Sequence, residues 1–374
     1  MKLIPRTLLV ALAATVCLSV PALASQTPPV SYYLAKVLSV AQVNATNPEG
    51  LLTVKLLQGP RQGMVLSVPA TGLYSASDIA LPTYKSNDTV VVTSTLLPNG
   101  QAQYSVIDHW RLPVAIVVLA VVVLFAVLIA GWRGIGSLLG LVVSLAVIGG
   151  YILPSILHGA NAELVSLIGC CGIATMSIYL AHGFSRRTTI SLASVYLTLA
   201  LSIGASIIVV KAANLNGIAT EDASYLHQQL PALDIQGVLL AGITIGVLGV
   251  LDDISIGQAA AVDELRKANK KLSWQELYWR GIRVGREHIA SLINTLVLAY
   301  AGGSFVFIAY VVAVLNLPLW LTLNSELVME EIVRSLVGSL ALILAVPIAT
   351  LASAYLLTHR FPSRLSWGRL KKSS

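Results

Sequence analysis

Two rhythms of apolar and polar positions divide the chain. Between residues 26 and 112 the apolar runs are short, at 32–41, 51–57, 64–68, 89–96 and 101–107. Turn formers such as Asn47-Pro48-Glu49-Gly50 and Pro98-Asn99-Gly100 separate them. Runs of this length and spacing predict a small antiparallel barrel or sandwich, and five strands suit an OB-like barrel. From Pro113 onward the runs lengthen to the roughly 20 apolar residues that cross a bilayer. Seven spans are predicted, at 113–131, 135–157, 163–181, 188–210, 236–256, 288–316 and 335–357. The expected fold is mainly α, a seven-helix transmembrane bundle preceded by a small exported antiparallel β domain.

Composition agrees with that division. Hydrophobic residues make up 56% and charged residues 11% of the 374, against roughly 25% charged in a soluble domain. Mean hydropathy is +0.80, which marks a multi-pass membrane protein whose first partner is the lipid bilayer. The net charge of +7 does not point to nucleic acid, because the bases lie in loops between apolar runs. With the β domain outside, seven spans put Arg133, Arg186, Arg187, the bases between Arg266 and Arg286 and the basic tail inside. In the loops between spans, only Lys211 and Arg334 then remain outside. Splitting the sixth span at Gly302-Gly303 would move the tail outside, against the positive-inside rule.

The N-terminus carries an export pattern: Lys2 and Arg6, an apolar stretch over 7–20, and Pro21-Ala22-Leu23-Ala24 ending in an A-x-A site. Cleavage after Ala24 is expected, and an uncleaved anchor helix is the alternative. The layout is then a signal peptide over 1–24, an extracytoplasmic β domain over 25–112, a transmembrane domain over 113–357 and a cytoplasmic tail over 358–374. The location is a bacterial cell membrane. Cys17 lies in the leader, and Cys170 and Cys171 adjoin inside an apolar run, where core packing is expected. Gly136-x-x-x-Gly140, Gly242-x-x-x-Gly246 and Gly257-x-x-x-Ala261 have the spacing that lets membrane helices approach closely.

The chemistry concentrates where the charge-free run 237–251 ends at Asp252 and Asp253. Charge near hydrocarbon costs about 2.5–3.5 kcal/mol per residue at a helix centre, so such acids are functional candidates. In one structure the fifth helix stops near Leu251, the acids face water, and Ser255-x-x-Gln258 is the capping box of a new helix. In the other the helix continues, or breaks near Ser255 and Gly257, at membrane depth and leaves a carboxylate in a polar cavity. The run of 15 residues spans about 22 Å as a helix, too little to cross alone, so the helix is expected to carry the acids at least into the interface. A carboxylate pair there resists carrying two charges, which suits proton coupling or a cation site. Asp263 and Glu264 precede Arg266 and Lys267 and suit a solvated helix face.

Partner groups are expected from the sixth helix, where His288 and Ser291 lie one turn apart, Thr295 extends the row and Asn294 accompanies it. Such a row lines a path or bonds neighbouring helices. Ser273-x-x-Glu276 is a capping box, and Trp274, Tyr278 and Trp279 with Arg280, Arg283 and Arg286 suit a helix lying on the inner leaflet. Arg186 and Arg187 would anchor orientation at the same leaflet. Glu326, Glu330 and Glu331 read as a solvated loop face. The sequence holds no H-E-x-x-H, G-x-S-x-G or P-loop, so no enzyme, metal or cofactor is expected.

The segments 182–189, 249–265, 286–302 and 324–338 together resemble the YibE/F family of bacterial membrane proteins. The similarity runs from about Tyr104 to Leu357. The resemblance implies a polytopic membrane protein of uncharacterised function and supplies no substrate. It also implies an Asp at the position of Asp253, with Asn or Met common at that of Asp252. The leading expectation is a transporter or channel-like permease for a small solute, proton or cation. Asp253 would be its protonatable or cation-binding group, with Asp252, Ser255, Gln258, Asn294 and His288 along the path. The alternative is a membrane scaffold or assembly factor whose exported domain docks a partner, such as another membrane subunit.

Overall fold

The computed structural model describes residues 30–40, 51–70, 84–97, 101–315 and 318–359. The expected signal peptide with Cys17, the two turns at 47–50 and 98–100, and nearly all of the basic tail lie outside the described residues. The chain divides into two compact units within the first long helix, between Phe125 and Ala126.

The N-terminal unit contains five antiparallel strands within a residue or two of the expected runs: β1 (Val30–Val40), β2 (Leu51–Leu56), β3 (Val65–Pro69), β4 (Thr89–Leu96) and β5 (Ala102–His109). Their order across the sheet is β3-β2-β1-β4-β5. An isolated parallel bridge, Ala70 to Val106, links the end of β3 to β5, so the sheet curls into a half-barrel. Alternation along the strands sends Ala35, Val37, Leu52, Val54, Val90, Val92 and Val106 inward, each at most 2% exposed.

Helix α1 (Leu112–Ala130) is apolar on every side and has no buried residue. Then come α2 (Trp132–Leu157), α3 (Ala162–His182), α4 (Arg186–Ala212), the short α5 (Glu221–Gln229) and α6 (Ile235–Ala268). They are followed by α7 (Trp274–Gly303), α8 (Phe305–Tyr310), α9 (Leu319–Asn324) and α10 (Glu326–Thr358). Six helices are long and apolar enough to span a membrane, and α7 with the segment after it makes a seventh if that bent pair counts as one span.

Two helices run past their predicted bounds, and at α6 the continuation expected as one of two alternatives is the one found. Helix α6 runs unbroken for 34 residues, about 51 Å, so Ser255 caps nothing and no break occurs at Gly257. Nothing in 249–257 forbids helix, and Leu248, Leu251, Ile254, Ser255 and Gln258 keep one buried face through it. The expected interfacial helix and sixth span are likewise one helix, α7, started by the Ser273–Glu276 capping box. Its break comes at Gly303, where the chain turns by 67°.

Close packing explains the seam between α2 and α3. A Cβ on Gly136 would meet the Leu180 carbonyl oxygen at 2.4 Å, and one on Gly140 would lie 3.3 Å from Ser177. The other two small-residue motifs do not make such contacts: Gly242 and Gly257 face open space and Gly246 faces the Tyr300 hydroxyl. The pair that does, Gly281 and Gly285 on α7, lets that helix lie against Thr350 and Val346 of α10. Helices α4, α6 and α10 pack mutually and form the centre of the bundle.

Candidate functional site

Helix α6 separates its two acids by about 100° of rotation, and the bundle treats them differently. Asp252 is half-buried and accepts a 2.8 Å hydrogen bond from the Ser177 hydroxyl of α3. Ser177 lies five residues before the end of α3, so this contact sits about 7 Å inside the helix end. Asp253 is exposed. His182, at the end of α3, feels the charges of Arg187, Arg133 and Asp253. One turn beyond Asp252 and facing inward, Ser255 is wholly buried and its hydroxyl has no partner.

The basic end of the bundle is stitched by ion pairs. Asp263 is half-buried between Lys267 at 2.9 Å and Arg187 of α4 at 3.9 Å. This corrects the solvated face expected for it, while Glu264 is exposed and pairs with Lys267 at 2.7 Å. Arg186 donates to the carbonyls of Leu356 and His359, so both arginines of that pair tie α4 to neighbouring helices as well as marking an end.

The other expected site residues do not share one cavity with the acids. Gln258 is buried, and its amide donates to the Gly281 carbonyl and the Thr350 hydroxyl, both at 2.7 Å. That locks α6 to α7 and α10. His288, Ser291, Asn294 and Thr295 are all exposed, on the outward side of α7. A cavity of about 460 Å³ does open between α7, α8, α9 and α10, lined by Tyr300, Phe307, Val311, Leu323 and Leu336 among others. It is apolar and reaches neither acid.

What the sequence reading missed is a column of buried polar groups where α4, α6 and α10 meet. Ser194, Thr198, Ser202 and Ser206 repeat every four residues along α4, and each hydroxyl donates to the carbonyl four residues back at 2.8–3.0 Å. Thr244 of α6 does the same at 2.8 Å. Ser339 and Ser353 of α10, Ser191 of α4 and Ser255 of α6 are buried with unpartnered hydroxyls. The four-residue repeat was readable in the sequence; burial of that face was not.

An acid, Glu330, stands at one end of this column. Glu330, one turn into α10, is 6% exposed and its Oε1 has no partner. Glu326, a turn earlier, accepts from the backbone amides of Asn216 and Gly217, and Glu331 pairs with Arg334 at 2.8 Å. These three acids therefore belong to the packed helix end, not to a solvated loop face. The same loop contacts α6 through Gln236, which donates to the Leu215 carbonyl at 2.5 Å, so the ends of α4, α6 and α10 are level there. At about 1.5 Å per residue from that level, Glu330, Ser206, Thr244, Ser202, Ser339, Thr198, Ser194 and Ser255 follow at depths of about 6, 9, 13, 15, 20, 21, 27 and 30 Å. Asp252 stands at about 25 Å on the adjoining face of α6.

Among the described residues no group of three His, Cys, Asp or Glu side chains is arranged to hold a metal ion. Cys170 is buried and Cys171 half-buried, both as free thiols. A family model described as YibE/F-like protein matches residues 118–359. Neither a curated protein nor a solved structure matches the chain.

Proposed function

The chain belongs to the YibE/F-like family, and from that premise we propose that it is a permease moving protons or small cations between α4, α6 and α10. The observation that carries this reading is the buried hydroxyl column with Glu330 near one end and Asp252 beside the other. Acids inside a membrane bundle are costly, and default to proton relays or cation ligands. Hydroxyl groups both donate and accept, so a column of them passes a proton or replaces part of a cation's hydration. Asp252 is the working acid at the basic end and Asp253 the exposed acid at its mouth. An Asn at 252, as the family resemblance implies for relatives, still accepts the Ser177 bond, which keeps Asp253 a second candidate.

The basic end faces the cytoplasm by the positive-inside rule. The β unit is then exported, and its strand order with the parallel Ala70–Val106 bridge suits an OB-like barrel.

The test is flux in liposomes holding a pH-sensitive dye, with the wild-type chain and the variants Asp252→Asn and Glu330→Gln. Wild type is expected to conduct and each variant to insert normally but lose at least about 10-fold in rate, equivalent to about 1.4 kcal/mol. Wild-type vesicles no leakier than empty ones to protons, sodium and potassium would sink the reading. The scaffold reading draws on a different observation: the Gln258 amide bonds α6 to α7 and α10, and the α4 hydroxyls are satisfied within their own helix. It expects no flux at all, and loss of partner capture when residues 26–108 are deleted.

A further inference from the structure

The break in α7 leaves a chamber at the end of the bundle away from the basic residues. At Gly303 the chain turns by 67°, so α8 leaves the line of α7, and α9 brings the chain back to the start of α10. The space between them is the cavity of about 460 Å³, inside the roughly 300–1,000 Å³ of small-ligand sites. Its walls offer little to water. Tyr300 presents its ring, because its hydroxyl reaches α6, where a Cβ on Gly246 would lie 2.8 Å from it. The acid in the wall, Glu331, is already paired with Arg334 at 2.8 Å. The hydroxyls of Ser304, Thr322 and Ser335 add little, since nearly all of the accessible wall is apolar. An apolar cavity of this kind stays dry and takes up apolar guests.

We propose that this cavity holds one acyl chain of a membrane phospholipid. Size, continuity and length select that occupant. A helix with its side chains is about 10 Å across and rises about 5.4 Å per turn, so the cavity has room for about one turn, too little to seat a span of this chain or of a second copy. Ile308, Val312, Leu319 and Leu336 line the cavity and are also exposed, so its wall runs out onto the apolar surface where lipid chains lie. Beside them Phe305 and Val306 continue that surface, at 69% and 83% exposed. Along α10 the wall extends from Val328 to Leu336, about 12 Å, which fits within the roughly 15 Å that one leaflet contributes to a 30 Å hydrocarbon core. The guest that is apolar, slim and present at the rim is therefore a lipid chain.

The full-length protein is tested in nanodiscs holding a phosphatidylcholine with a photoactivatable diazirine midway along one chain. After irradiation, peptide mass spectrometry is expected to find label around Tyr300, Phe307 and Leu323 at least about 10-fold above that on α1, which has no buried residue and serves as the measure of bulk lipid. Ala301→Phe and Ser335→Phe put a ring into the cavity from α7 and from α10. Each is expected to cut the wall label at least about 10-fold and leave the α1 label unchanged. A thermal unfolding profile like wild type shows that a variant still folds, and the wild-type comparison stands without either. Walls labelled no more than α1, label indifferent to the ring in a folded variant, or walls unlabelled because a second copy or another segment of this chain fills the space would each overturn the proposal. The flux assay does not enter, so failure of the permease reading leaves this result standing.

Discussion

The two units bury opposite materials. The β unit packs Val37, Leu52, Val54, Leu56, Val90, Val92 and Val106 against one another, and among the described residues none of the buried polar side chains belongs to it apart from the Tyr84 phenol. The bundle buries hydroxyls, an amide and a carboxylic acid along its central helices. Water drives the first arrangement, because removing apolar surface from it is favourable. Lipid offers no such drive, so helices associate through close backbone approach and interhelical hydrogen bonds. A buried polar group in the bundle is therefore ordinary as glue and becomes functional only where it lacks a partner or carries charge. Glu330 and Asp252 meet that second condition; the α4 hydroxyls of Thr198 and Ser202 do not by themselves.

The largest effect expected from this comparison is at Gly136. A side chain there collides with the Leu180 carbonyl and the Ala181 Cα, at 2.4 and 3.0 Å from the first carbon alone. Both are backbone atoms of α3 and cannot swing away, so the cost exceeds the roughly 1–3 kcal/mol of ordinary overpacking. Gly136→Leu is expected to broaden or abolish the helical unfolding transition in detergent while the β-sheet infrared band survives. Equal loss of both signals would show that the units do not pack by separate rules.

Legibility in the sequence follows the same division. Period-two alternation and turn residues put all five strands in place, because a sheet with one buried face writes its burial into every second residue. The apolar runs located the helices, but not where α6 and α7 continue, because a helix in a bundle tolerates Asp252 or Arg283 when one face stays packed. Asp252 and Asp253 were visible as a pair; which of them turns inward depends on Ser177, 75 residues away. The row at His288, Ser291 and Asn294 was equally visible, and its outward direction was set by Gly281 and Gly285, whose role shows only once Val346 and Thr350 lie against them.

A smaller effect separates glue from path at Gln258. Its amide donates to Gly281 and Thr350, and Thr350 keeps its own bond to the Val346 carbonyl at 2.6 Å when that donor goes. Gln258→Leu is thus expected to cost about 0.6–2 kcal/mol, the range of interhelical bonds in membranes. It should leave ion flux within about twofold of wild type, a difference below about 0.5 kcal/mol. Thermal unfolding and the liposome assay read the two quantities on one preparation. A collapse of flux with unchanged stability would move Gln258 from the packing of the bundle into the conduction path.

The smallest effect lies in the β unit, at its one buried hydroxyl among the described residues. The Tyr84 ring stacks on His109 with centroids 4.6 Å apart, and its hydroxyl has no hydrogen-bond partner. Burial, reinforced by the Asp108 charge, holds the phenol above its ordinary value of 10.0. The folded unit therefore keeps this proton more tightly than the unfolded chain does. Its contribution is complete below about pH 10 and is lost as the pH rises from there through the raised folded value. Tyr84→Phe has no proton to lose and gives up no hydrogen bond, so at pH 7 its stability is expected within about 0.5 kcal/mol of wild type. Between about pH 7 and 11 the unfolding midpoint of the β-sheet signal should fall further for wild type than for the Phe variant. Parallel curves would mean that water reaches the phenol, and that the β unit tolerates a polar atom inside by hydrating it, as no lipid-embedded helix can.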